Sequence, residues 1–407
     1  MKKSVYARIL IAAVLVFAVV AAGCAAEPKY AKSSTFGPMI TGGVTDEFLQ
    51  MVREDPDIKK GKPLRLGKDI TDDDLKKVAT LADVLTGVLI ERNDTITDLS
   101  PLSSLSGLTY LKLDSMKGVK TLAPIGALVK MKELEIRQVE YPDLDFLTGM
   151  NDLESLIFFM QPKQIEDISP LKGKAKLKTL RLYGGAGQEG IKDISVLAEL
   201  TELEDLSLYM TKVEDLSPIS GLVKMKRLDL YGIRATDMSP VENLTELRYI
   251  WIYATKFEDY SPLAKLTKLE EFRAGISQLD TLEYLENMPK LKIVSMLRED
   301  IHDFSPLAKC PELVEVNLEG VKGVIDLSVF AEHKKLKNLF VRNTEVKNAE
   351  TIVALPRLEW LILIDTKGIP DVTIFKDLPK LNRISVKEGQ FPAEQIEALG
   401  KKASVQK

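Results

Sequence analysis

Residues 213–278 read VEDLSPISGLVKMKRLDLYGIR (213–234), ATDMSPVENLTELRYIWIYATK (235–256) and FEDYSPLAKLTKLEEFRAGISQ (257–278), three lines of 22 residues without a gap. Ser217, Ser239 and Ser261 fall in register, followed by Pro218, Pro240 and Pro262. Two, five, eight, eleven and thirteen positions past the serine the residue is apolar, as in Ile219, Leu222, Met225, Leu228 and Leu230. One such unit cannot bury its apolar side alone, whereas stacked copies can, so the period predicts a solenoid.

Working outward, the position aligned with Ser217 recurs at 100, 123, 145, 169, 195, 217, 239, 261, 283, 305, 328, 350 and 373, which makes thirteen units. The steps are 22 to 24 residues, except for 26 between 169 and 195, where 184–190 form a glycine-rich insertion. A chain of 407 residues fits one such array, which lengthens along an axis without needing a second core. The formal charge is −4, and −7 without residues 1–23, so no concentrated basic face invites nucleic acid.

Residues 1–24 read MKKSVYARILIAAVLVFAVVAAGC. The uncharged run 9–22 has 14 residues, short of the roughly 20 a spanning helix needs, and suits a signal peptide at 1–23. The ending Ala21-Ala22-Gly23-Cys24 resembles the bacterial lipoprotein box, which implies cleavage and lipidation of Cys24. Residues 24–44 are small and polar and predict a flexible tether. An amino-terminal cap and first strand are expected over 45–91, with helices at 45–54 and after Thr71, whose acidic successors Asp72, Asp73 and Asp74 suit a helix N-terminus. Repeats would fill 92–390, and 391–407 would hold a closing helix and a loose tail from Lys401.

The pattern Leu222-x-x-Met225-x-x-Leu228-x-Leu230 resembles the leucine-rich repeat, and the D-x-S-P-L variety is similar to the internalin-type repeats of bacterial surface proteins. That resemblance implies an α/β horseshoe with a parallel concave sheet, short convex 3-10 or helical segments and a helical N-cap. It also implies protein recognition. Ser217 is expected to cap the convex segment, with Pro218 in its first turn. Asp98, Asp143, Asp167, Asp193, Asp215, Asp237, Asp259, Asp303, Asp326 and Asp371 precede the serine column by two residues and read as turn caps rather than a metal ladder. Where the family buries an asparagine, this chain is read as placing Asp94, Lys117, Thr211, Thr255, Thr344 and Lys367.

Catalytic chemistry has little to use, and neither an enzyme nor a cofactor is expected. The two histidines, His302 and His333, lie in a turn and a core column; Cys310 shares that column. No metal-ligand spacing is present, and 184–190 lack the Lys-Ser/Thr of a phosphate loop. The informative columns flank the strand leucines, because alternate strand residues face opposite sides. With Leu228 and Leu230 in the core, one outward column holds Phe159, Tyr183, Tyr209, Tyr231 and Tyr253. At roughly 4.8 Å per strand these rings would run for about 20 Å. Tyr249 and Trp251 lie beside them, Arg181, Arg227, Asp205 and Asp229 supply charge, and Phe340, Trp360, Ile362 and Ile364 form a second apolar group. Rings in a row also stabilise sheets, yet Tyr, Trp and Arg dominate binding hot spots. The expected function is protein binding through this stripe, on a lipid-anchored protein of the bacterial envelope. The partner would be another envelope protein or a host surface protein. A glycan-binding module and an envelope scaffold are the alternatives.

Overall fold

The computed structural model describes residues 27–33, 35–141, 143–159, 165–184 and 190–406. The signal peptide, Cys24 and the centre of the 184–190 insertion lie outside the described residues. The described chain forms two compact units, Met1–Met150 and Asn151–Lys407.

In the first unit five parallel strands follow one another, Met39–Thr41, Leu64–Leu66, Gly87–Glu91, Tyr110–Met116 and Glu133–Val139. Lys29–Ala31 pairs antiparallel with Met39–Thr41, so the stretch read as a tether is built into the sheet, with Ile40 and Val44 buried. The first strand expected at the end of 45–91 is Gly87–Glu91, and two parallel strands precede it. Helices Asp46–Glu54 and Asp72–Ala79 form where expected. Thr45 caps the first, and Thr71 and Asp74 form a reciprocal capping box on the second.

In the second unit Val324–Asp326 pairs separately with Glu345–Lys347, and among the described residues twelve further strands, from Ser155–Phe159 to Ala403–Gln406, run parallel in one sheet. The tail read as loose from Lys401 supplies the last of them, paired with Arg383–Lys387 after the closing helix Ala393–Leu399. In the strand Tyr249–Tyr253, Ile250 and Ile252 are fully buried while Tyr249, Trp251 and Tyr253 are half-buried on the other face. Each side chain such as Leu228 or Leu230 taken out of water contributes about 1.5–3 kcal/mol.

The return segments are 3-10 turns such as Ser217–Ile219. Their capping differs from the expectation at Ser217, which lies inside the turn. Asp215 caps it instead, accepting the Ser217 amide at 2.7 Å and its hydroxyl at 2.9 Å. Asp237 and Asp259 repeat the arrangement, and the bonds from Ser261 hold the Asp259 carboxyl below the usual range.

Many strands leave through a residue of left-handed conformation, among them those ending before Met210, Gly232, Ala254, Ile276 and Arg298. Its amide donates to the next coil, as from Ala254 to Gly275 at 2.7 Å. The buried asparagine column lies one residue from three positions assigned to it. Asp94, Lys117 and Lys367 are exposed, and Asn93, Met116 and Thr366 are buried in their place. Burial decides this register, because a lysine ammonium in a dry turn would lack compensation. Asn93 bonds the Gly67 and Ile70 carbonyls, and Thr211, Thr255 and Thr344 each donate to the carbonyl three residues back.

Candidate functional site

Three outward columns cross the second unit, ten, twelve and fourteen residues past the serine position. The third is the aromatic column, and its rings touch in sequence. Centroids lie 4.5 Å apart for Phe159–Tyr183, 5.4 Å for Tyr183–Tyr209, 4.5 Å for Tyr209–Tyr231 and 6.0 Å for Tyr231–Tyr253. The last two pairs are stacked, at 17° and 28°. Tyr231 is therefore stacked between two neighbouring rings. The row stops at Gly275, where a Cβ would sit 2.4 Å from the Tyr253 ring. Tyr253 lies across that glycine, its hydroxyl 3.1 Å from that of Ser295.

Beside the rings is a network of charges. Arg181 donates to Asp205 through Nε at 3.2 Å and Nη2 at 2.6 Å, and Arg227 approaches the same carboxylate at 3.7 Å. The Arg227 guanidinium also lies 4.3 Å from the Tyr249 ring centre and 5.4 Å from that of Trp251. Arg273 approaches Trp251 at 6.0 Å, and the indole N–H donates to Glu271 at 2.9 Å. Asp229 is only 4% exposed and accepts the Ser207 hydroxyl at 2.9 Å and the Tyr231 amide at 3.0 Å. Burial pushes its carboxyl upward, against the pull of those two bonds and of Arg181. The bond to Asp205 holds the Arg181 guanidinium above its ordinary value.

Thus the structure brings Phe159, Tyr183, Tyr209, Tyr231, Tyr253, Tyr249, Trp251, Arg181, Arg227, Asp205 and Asp229 onto one face of one unit. Between Arg181, Arg227, Asp229 and Trp251 about 20 Å³ is free, enough for one water molecule. This is a surface, not a small-molecule pocket. Sequence reading passed over Ser207, Glu271, Arg273, Gly275 and Ser295. Extending the same three columns by two units would have found the last four.

In the second apolar group Phe340 and Trp360 meet edge to face at 4.9 Å, with Arg383 5.2 Å from the indole. Ile364 is withdrawn, at 5% exposure. His302 is exposed in its turn, 3.1 Å from Asp300. His333 is buried and donates to the Leu307 carbonyl, and burial pushes the Cys310 thiol up to about 11. Among the described residues no group of three or more His, Cys, Asp or Glu could hold a metal ion, and no helix is long and apolar enough to cross a membrane.

No family model and no curated protein matches the sequence. Solved structures do match. An internalin (InlF) from Listeria monocytogenes is 25% identical over 75% of this chain and 88% of its own, with a TM-score of 0.65. A leucine-rich-repeat protein of Leptospira interrogans is 19% identical over 90% of this chain and 93% of its own, at 0.69. The functional domain of internalin J from Listeria monocytogenes is 20% identical over 83% and 71%, at 0.61. With the parallel strands, the 3-10 returns and the turn ladder above, these likenesses identify the fold as a leucine-rich-repeat solenoid similar to the bacterial internalins.

Proposed function

We propose that this protein is a bacterial envelope protein, lipid-anchored through Cys24, that binds a protein partner on the concave aromatic face of its second unit. One observation carries the reading. The column holding Phe159, Tyr183, Tyr209, Tyr231 and Tyr253 holds Asp114 and Arg137 two units and one unit earlier, and Gly275, Leu297 and Glu319 later. The strands form equally well with any of these, so packing does not demand the rings. Tyr, Trp and Arg concentrated on one face are the residues that carry hot-spot energy in protein interfaces. Protein is favoured over glycan because sugar stacking needs open ring faces. Those of Tyr209 and Tyr231 lie against their neighbours, and Arg227 and Arg273 lie against Trp251.

The test is capture from bacterial envelope and host-surface extracts by the full chain, comparing wild type with Tyr209→Ala plus Trp251→Ala. A specific protein retained by wild type and lost by the double variant supports the reading. Equal capture by both removes the aromatic face from the function.

A further inference from the structure

An open cleft lies in the first unit. It measures about 430 Å³ and is lined by Met39, Arg65, Lys68, Glu91, Arg92 and Asp114. That is within the range of small-molecule sites, in contrast to the closed network of the second unit. Its walls come from consecutive strands. Met39 pairs in register with Arg65, and Glu91 with Asp114, while Lys68 and Arg92 stand just past the strand ends.

The charges of this face fall into two sets. Arg65, Glu91, Lys112, Glu135 and Arg137 form one chain of ion pairs, with Arg65–Glu91 at 3.8 Å, Lys112–Glu91 at 2.9 Å, Lys112–Glu135 at 3.4 Å and Arg137 against Glu135. At the end of that chain three groups differ. Among the described residues Lys68 and Arg92 have no ion-pair partner, and Asp114 has no cation, only the Ser115 hydroxyl at 2.7 Å. Both signs are thus left open around one cavity. Arg65 is pinned beside it, 5.8 Å from the Phe36 ring and only loosely paired with Glu91, which Lys112 already neutralises.

We propose that this cleft binds a phosphorylated zwitterion, its phosphate held by Arg65, Lys68 and Arg92 and its ammonium group by Asp114. Phosphate fits better than a carboxylate. It offers three oxygens to three cations, and the planar fork of each arginine matches two of them. Glu91 is no obstacle while Lys112 holds it. Asp114 would repel a bare anion and attract one that carries its own cation. The site therefore discriminates between phosphate alone and phosphate joined to an amine. Phosphoethanolamine has that chemistry, either as a free compound or as a phospholipid headgroup.

Calorimetric titration of the detergent-solubilised full chain with O-phosphoethanolamine and with inorganic phosphate tests this. O-Phosphoethanolamine is expected to bind roughly tenfold more tightly than inorganic phosphate, the effect of one additional charge-assisted contact. Lys68→Gln with Arg92→Gln should weaken both ligands at least about tenfold. Asp114→Asn should remove the preference and leave phosphate binding in place. The three side chains hold no part of the ion-pair chain, so an unchanged melting temperature confirms that each variant folds. Absence of binding by either compound, a double variant that binds as wild type, or a preference that survives Asp114→Asn overturns the proposal. Sedimentation with phosphatidylethanolamine and phosphatidylcholine vesicles separates the sources. Selective binding to the former, lost in the double variant, makes the ligand a headgroup; binding of the soluble compound alone makes it a free one.

Discussion

Asp114 and Arg137 in the first unit and Phe159 to Tyr253 in the second occupy one repeat position, fourteen residues past the serine. In the first unit the outward face is a chain of ion pairs from Arg65 to Arg137. In the second it is a row of rings flanked by arginines. Each face stands on a parallel backbone ladder of its own unit, with leucines such as Leu113 and Leu230 beneath. The lesson is that a repeat backbone fixes where an outward side chain stands and leaves its chemistry open. Chemistry that changes while the frame stays constant is a record of use.

The comparison breaks at once if the two frames are unequal. Leu113 and Leu230 hold one core position and both are fully buried. Each substitution to alanine should cost roughly 3 kcal/mol in urea denaturation. A loss at one site alone would mean that the units are not built alike. Smaller, and specific to the aromatic face, is Trp251→Ala. It removes an indole between two guanidiniums and leaves Glu271, 9% exposed, with Arg273 alone. About 2 kcal/mol of stability should go with it, and a denaturation midpoint unchanged from wild type would deny the network any energetic role.

A third contrast sits in the turns. In the first unit the column sixteen past the serine holds the fully bonded Asn93 and then the apolar Met116 and Val139, but in the second it holds Glu299. Glu299 is 1% exposed; one oxygen accepts the Ser277 amide and hydroxyl, each at 2.9 Å, and Oε2 has no partner. Burial raises its carboxyl above the ordinary value. The unfolded chain releases this proton near pH 4.3, before the folded chain does. The contribution of Glu299 is therefore most favourable below that value and is lost as pH rises toward the folded value. Glu299→Gln should match wild type at pH 4 and exceed it by about 1.5 kcal/mol at pH 8. Melting curves that stay parallel at both pH values would refute this.

Much of this was legible in the chain itself. The period, the buried leucines and the outward tyrosines follow from alternation and repetition, which act on single columns. Misplaced features belong to contacts between columns. Asp94 for Asn93 and Lys367 for Thr366 are slips of one residue in a turn, where no alternation marks the inward side. The edge strands Lys29–Ala31 and Ala403–Gln406 are short and weakly apolar, and form because a neighbouring strand offers bonds. The cleft of Arg65, Lys68 and Arg92 draws on three coils, and none of its residues stands out in its own line. Stacking of Tyr209 on Tyr231 was likewise invisible, since a column gives order but not ring tilt.

The mildest expected effect bears most directly on the comparison. Tyr209→Glu with Tyr231→Arg gives the second unit the charge alternation of the first without touching any core residue. The exchange removes three ring contacts, each worth about 0.5 kcal/mol on this half-exposed face, and returns a cross-strand ion pair worth about 0.5 kcal/mol. The net change should be about 1 kcal/mol of destabilisation, read by urea denaturation, while a partner captured through this face is lost. A cost above about 3 kcal/mol would mean that the rings are part of what holds the second unit together. The two faces would then differ because their frames need different side chains, and the inference from chemistry to use would fall with that result.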